Sequence, residues 1–108
     1  MLPKARRLTR QQFWQVQQTG QSLTHSHWAG KYLQNHLNYN RFGVVTSAKL
    51  DKRAVVRNKL RRQIYAAVAK LAGSRDVIIF PKKSMLNLSG AEISHELNQG
   101  LSKILGGT

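Results

Sequence analysis

The first fifty residues contain no carboxylate; the earliest is Asp51. The whole 108-residue chain carries 18 Lys+Arg against 4 Asp+Glu, a formal net charge of +14. A compact body this cationic repels itself, so an anionic partner is part of its design. Nucleic acid is the leading partner class and an anionic membrane surface the second. A small acidic substrate would not call for so many cations. Forty-one per cent of the residues are hydrophobic, too many for a disordered tail and enough for one modest core. The length fits a single domain spanning 1–108.

The chain has no cysteine, which excludes disulfides, thiolate catalysis and the cysteine-containing zinc fingers. Its absence is compatible with a reducing cytosol, and a cytoplasmic location is expected. No apolar run approaches the ~18 residues of a membrane span, and no membrane partner is expected, because the apolar stripe of the basic helix Ala54–Ala72 is claimed by a globular core. No apolar signal core follows the basic start, although an Arg-rich, acid-poor opening is also found in organelle transit peptides.

Local patterns predict eight segments. Leu2–Leu8 reads as an extended basic arm, because Pro3 disfavours helix before it. Thr9 can cap a helix running to about Thr19, stopped by Gly20, with Phe13 and Val16 on one face. Residues 22–34 alternate, with Leu23, His25, His27 and Ala29 on one face and Trp28, Gly30 and Tyr32 on the other. This predicts a strand, with Gly30 as the place where it could split. Asn35–Asn40 reads as a turn and Arg41–Ser47 as a second strand. Ala54–Ala72 is the strongest helix, with Val56, Leu60, Ile64, Ala67, Val68 and Leu71 in one stripe and Gly73 as its stop. Asp76–Pro81 is a short continuous apolar run, as in a strand buried on both faces. Ser89 to Glu92 is a capping-box pattern that opens a last helix to about Leu105. Its apolar face is Ile93, Leu97, Leu101, Ile104 and Leu105. The result is an α+β fold, a small sheet of three to four strands packed with three helices.

Chemistry concentrates on the strongest helix and its approach. Between Lys49 and Arg62 lie seven cations, Lys49, Lys52, Arg53, Arg57, Lys59, Arg61 and Arg62, with only Asp51 among them. At about 100° per residue, Asn58, Arg61, Arg62 and Tyr65 point away from the apolar stripe, with Arg57 and Lys59 on its edges. A solvated surface helix normally interleaves Glu with Lys, and like charges one turn apart cost a few tenths of a kcal/mol each. The pattern makes sense where phosphates supply the counter-charge, with Arg forking onto phosphate and Asn donating beside it. The competing readings are a solubilising face and a membrane-surface helix. Aromatic residues among the cations (Phe13, Trp28, Tyr32, Tyr39, Phe42 and Tyr65) suit single-stranded nucleic acid, though each taken alone also suits core or rim. Phe42 and Phe80 are core by default.

No self-contained active site is legible. His25 and His27 lack a third ligand, Glu92 is explained by capping, and there is neither a Gly-rich phosphate loop nor a nucleophile elbow. No protein metal site and no catalytic side chain are expected.

The segment Ala54–Arg62 (AVVRNKLRR) resembles the Arg-Asn-Arg signature of the bacterial ribonuclease P protein subunit. The likeness runs along the chain in order. It includes the Leu2-Pro3-Lys4…Arg7-Leu8 opening, Phe13 with Val16, Arg41-Phe42-Gly43, Asp76–Ile79 with Lys82, and Leu88-Ser89…Glu92. The resemblance implies an α-β-β-β-α-β-α order, a fold shared with the second domain of one small-subunit ribosomal protein. It also implies a left-handed β-α-β crossover, against the general preference. It implies partnership with a catalytic RNA, ribonuclease P RNA, and with precursor tRNA, in a 1:1 complex of protein and RNA. Mg²⁺, held mainly by the RNA, then serves hydrolysis of the phosphodiester that releases the 5′ leader. The implied RNA-binding residues are Arg57, Asn58, Lys59, Arg61 and Arg62, with Lys49 and Arg53 beside them. The implied leader cleft holds Phe13, Tyr32 and Trp28. Three residues depart from the family pattern. Lys59 stands for an arginine and loses its fork. Ala48 stands for the first of two lysines, and Gln17 for a second aromatic. A structural RNA-binding protein, such as a ribosomal component, is the alternative reading. A self-sufficient nuclease would have only Asp51, Asp76, Glu92 and Glu96 to work with.

Overall fold

The computed structural model describes residues 3–105. Their elements follow in the order α1 (Arg10–Thr19), β1 (Gln21–Thr24), β2 (Trp28–Gln34), β3 (Arg41–Val44), α2 (Ala54–Val68), β4 (Arg75–Pro81) and α3 (Gly90–Leu101). Short 3-10 turns precede α1 at Lys4–Arg6 and α3 at Lys83–Asn87. The four strands form one mixed sheet in the order β1-β2-β4-β3. β1–β2 and β2–β4 are antiparallel, and β3–β4 is parallel with α2 as the connection.

Strand period 2 divides the residues between two layers. Trp28 and Tyr32 of β2, Phe42 of β3, and Val77 and Ile79 of β4 share one face through the register pairs Tyr32–Val77 and Phe42–Val77. That face meets α2 and α3, where Leu60, Ile64, Val68, Ile93, Leu97 and Leu101 complete the main core. Lys31, Gly43 and Ile78 are paired on the opposite face, which α1 covers. Val16 of α1 and Ile78 are fully buried there. β4 therefore reads as a continuous apolar run because helices lie on both of its faces.

The capped ends are those the sequence predicts. Thr9 forms a capping box with Gln12, and Ser89 forms one with Glu92. Other boundaries differ. The alternating segment breaks at His25–His27, not at Gly30, so Leu23 and Ala29 lie on separate strands paired across a hairpin. Gly30 is inside β2, where a Cβ would sit 3.0 Å from the Trp28 ring and from the Ile78 carbonyl. Leu2 of the expected extended arm lies outside the described residues, and the rest of the arm is not fully extended. Pro3 stands as the N-cap of the 3-10 turn Lys4–Arg6, its carbonyl accepting from the Arg6 N–H at 2.9 Å. Arg7 then pairs with Phe42 and covers the edge of β3. β3 ends at Val44 rather than Ser47. α2 ends at Val68, four residues before its expected end, and α3 at Leu101. Gly73 does not cap α2. It lies beyond the helix at φ 151°, a conformation L side chains avoid, with Asn40 packed against it.

Candidate nucleic-acid interface

α2 lacks every local device that steadies the other two helices. Its N-cap is Arg53, whose side chain accepts nothing, and its first turn holds no acid. The N-terminal N–H groups and the positive end of the dipole therefore meet more positive charge. Asp51 partly compensates. Its carboxylate accepts from the Arg53 backbone N–H at 2.8 Å and pairs with the Arg53 guanidinium at 3.1 Å. Those hydrogen bonds hold the Asp51 carboxyl below its ordinary pKa.

The remaining carboxylates are all occupied elsewhere. Asp76 takes a two-pronged bond from Arg41 at 2.7 and 2.6 Å, Glu96 lies 3.1 Å from His25 Nδ1, and Glu92 caps α3. Among the described residues, then, no acid pairs with Lys49, Arg57, Lys59, Arg61 or Arg62. Arg61 is pre-aligned by donating to Asn58 Oδ1 at 3.1 Å and to Thr46 Oγ1 at 2.7 Å. Asn58, Lys59 and Arg62 are exposed, whereas Arg57 is half-buried with its Nε unpartnered. Val55, Asn58, Arg61, Arg62 and Tyr65 line one shallow depression. A neighbouring one is lined by Lys49, Lys52 and Arg53 together with Lys83 of the second 3-10 turn. Lys83 is absent from the sequence reading, since nothing local places it beside Arg53.

Tyr65 does not point away from the stripe as expected. It is buried with Val44 at the edge of the main core, and that burial pushes its hydroxyl pKa up. The expected leader cleft is rearranged more deeply. Trp28 is 0% exposed, its Nε1 donates to the Glu96 carbonyl at 3.2 Å, and Gly100 of α3 fits against its ring. It is a core residue and lines no open cleft. Tyr32 shares the face of Trp28 and donates its hydroxyl to Gln21 Oε1 at 2.8 Å. Phe13 lies on the other side of the sheet, 3.4 Å from where a Gly43 Cβ would stand. Phe13 and Tyr32 thus cannot form one wall. What faces Phe13's side is Lys31, whose Nζ donates to the Gln17 carbonyl of α1 at 2.9 Å. Lys31 was missed, although period-2 alternation from Tyr32 would have found it.

His25 and His27 serve structure. His25 stacks on Trp28 with ring centroids 5.8 Å apart, and His27 Nδ1 lies 2.8 Å from Ser84 Oγ. Among the described residues no three His, Asp or Glu side chains gather where a metal could be held, and no helix is long and apolar enough to cross a membrane.

Comparison with known proteins now decides the family. The sequence model described as Ribonuclease P matches residues 2–105. The chain belongs to the ribonuclease P protein family. It is 32% identical to the ribonuclease P protein component of Synechocystis over 108 residues, covering 94% of this chain and 87% of that one. It is 36% identical to that of Microcystis aeruginosa over 112 residues, covering 94% and 92%. Its fold matches the ribonuclease P proteins of Thermotoga maritima (TM-score 0.82, 23% identity, 91% of this chain and 96% of that one) and Staphylococcus aureus (0.79, 23%, 93% and 95%). As a ribonuclease P protein component, the chain is a subunit of an endoribonuclease of tRNA maturation, and its partners are ribonuclease P RNA and precursor tRNA. Of the three departures from the family pattern, Ala48, Lys59 and Gln17 are all exposed. They alter the chemistry of the surface and leave the core alone.

Proposed function

We propose that α2 and the loop before it form the contact with ribonuclease P RNA, in a 1:1 complex in the cytoplasm, and that bond cleavage belongs to the RNA. The observation that carries this is a helix with Arg57, Lys59, Arg61 and Arg62 in a molecule whose carboxylates are otherwise occupied. Phosphates are the counter-charge that completes it. Arg57, Arg61 and Arg62 offer fork geometry, Lys59 and Lys49 offer point charges, and Asn58 donates beside them. Arg53 contributes what its pair with Asp51 leaves free.

The chain's own residues do not fit a magnesium site. Mg²⁺ needs several oxygen ligands, and each carboxylate here is already engaged with a nitrogen donor of the protein. Mg²⁺ is accordingly assigned to RNA phosphates, and the protein's part is to lower phosphate repulsion and hold the precursor in place. The 5′ leader is assigned to the α1 side of the sheet, along Phe13, Gln17 and Lys31, rather than to Trp28 or Tyr32.

A salt titration of binding to ribonuclease P RNA tests this reading. Arg57→Ala and Arg61→Ala should each flatten the log–log slope by up to about one unit. An unchanged slope in both variants removes the helix from the interface. Reconstitution separates the roles: with purified RNA at low Mg²⁺, the protein should restore precursor cleavage and show none by itself.

A further inference from the structure

The basic start of the chain contains an arginine that faces inward. Arg6 donates Nε to the Asn40 carbonyl at 3.3 Å, Nη1 to the Ala69 carbonyl at 3.2 Å and Nη2 to the Leu71 carbonyl at 3.3 Å. Ala69 is the C-cap of α2, and Leu71 closes the turn after it. Asn40, fully buried, works from the other side. Its amide donates to the same Leu71 carbonyl at 3.2 Å, and its Oδ1 accepts from the Arg75 backbone N–H at 3.0 Å. One polar knot therefore ties the N-terminal turn, the β2–β3 loop, the end of α2 and the start of β4.

We infer that Arg6 is a positioning residue for RNA binding: it anchors the far end of α2 so that the cationic face at the near end is presented at a set angle to the sheet. This rests on the RNA-binding reading of α2. Three of the five N–H groups of the guanidinium are committed to carbonyls, so its charge serves the negative end of the helix and not a phosphate. α2 holds no basic residue of its own in its last turn, and Arg6 supplies that cation from 63 residues away in sequence. Lysine cannot replace it, because a single ammonium cannot span three carbonyls contributed by two segments.

The test is RNA affinity and its salt slope, measured well below the melting temperature on Arg6→Ala, Arg6→Lys, Arg57→Ala and Arg61→Ala, each shown folded by circular dichroism. Arg6→Ala and Arg6→Lys should both weaken binding by roughly tenfold with the wild-type slope retained, as expected when coupling and not a contact is lost. Arg61→Ala should flatten the slope. If Arg6→Ala flattens the slope by about a unit, Arg6 is itself a phosphate contact and the inference is wrong. Full affinity in both Arg6 variants, with only the melting temperature lowered, also overturns it, because the role is then structural alone. Wild-type binding by Arg6→Lys beside weak binding by Arg6→Ala overturns it too, since charge would suffice. If Arg61→Ala and Arg57→Ala leave affinity and slope untouched, the RNA-binding reading of α2 has failed and the inference falls with it.

Discussion

Helices α2 and α3 lie side by side on the same face of one sheet and are built by opposite rules. α3 opens with the reciprocal Ser89–Glu92 capping box, carries Glu92 at the positive end of its dipole, and has no Lys or Arg between Gly90 and Leu101. α2 opens on an arginine with no cap, has no acid in its first turn, and places Arg57 and Arg61 one turn apart. Both bury comparable apolar stripes, so packing does not separate them. The difference is where the local electrostatics are satisfied. In α3 they are settled within the helix; in α2 only Asp51, in the loop before it, offsets them. The uncapped helix is the one that the proposed RNA contact uses.

That contrast can be broken from several sides. The largest effect belongs to the apolar layer that the two helices share. Trp28→Ala should cost about 3–5 kcal/mol of stability by chemical denaturation, because the ring fills the space under α3 and bonds Glu96. A loss under 1 kcal/mol would mean that the ring is not the core element described above. Next come the caps. Ser89→Ala should destabilise by about 1 kcal/mol, whereas Arg53→Ser, which gives α2 the cap it lacks, should stabilise by roughly 0.5–1 kcal/mol and weaken RNA binding. Equal responses at the two positions would erase the distinction between the helices. Smaller again, Arg57→Ala should leave stability unchanged or raise it by a few tenths of a kcal/mol, since it relieves a like-charge pair while reducing RNA affinity.

The smallest effect is on pH dependence. Hydrogen bonds from Ser89 hold the Glu92 carboxyl below its ordinary pKa. Its folded pKa therefore lies below its unfolded one. The stabilisation is complete above the ordinary glutamate range and fades as pH falls through the folded value. Melting temperatures followed through acid should fall less steeply for Glu92→Gln than for the unsubstituted chain. Parallel curves would take Glu92 out of the cap.

Residues that act through short-range periodicity were legible in the chain. The stripe Leu60, Ile64 and Val68, the Thr9 cap, the Ser89–Glu92 capping box, and the apolar run of β4 all follow from neighbours within four positions. So did the cationic face, because seven cations in fourteen residues need no tertiary knowledge to be seen. Element ends were less legible. Nothing local ends α2 at Val68; Arg6 and Asn40 take the carbonyls that follow it. The hairpin at His25–His27 was hidden because Ser26 between two histidines is a weak turn signal.

The leader cleft shows the limit most clearly. Alternation correctly separates Trp28 and Tyr32 from Lys31, but both faces of β2 carry aromatic or long side chains. Choosing between them requires knowing which face α1 covers. The chain by itself determined the helices, the buried strand and the basic ridge, because backbone geometry makes those depend on spacing alone. Which side of the sheet each helix occupies, and hence whether Trp28 is core or cleft, was decided only by the tertiary structure, where burial depends on contacts between residues dozens of positions apart.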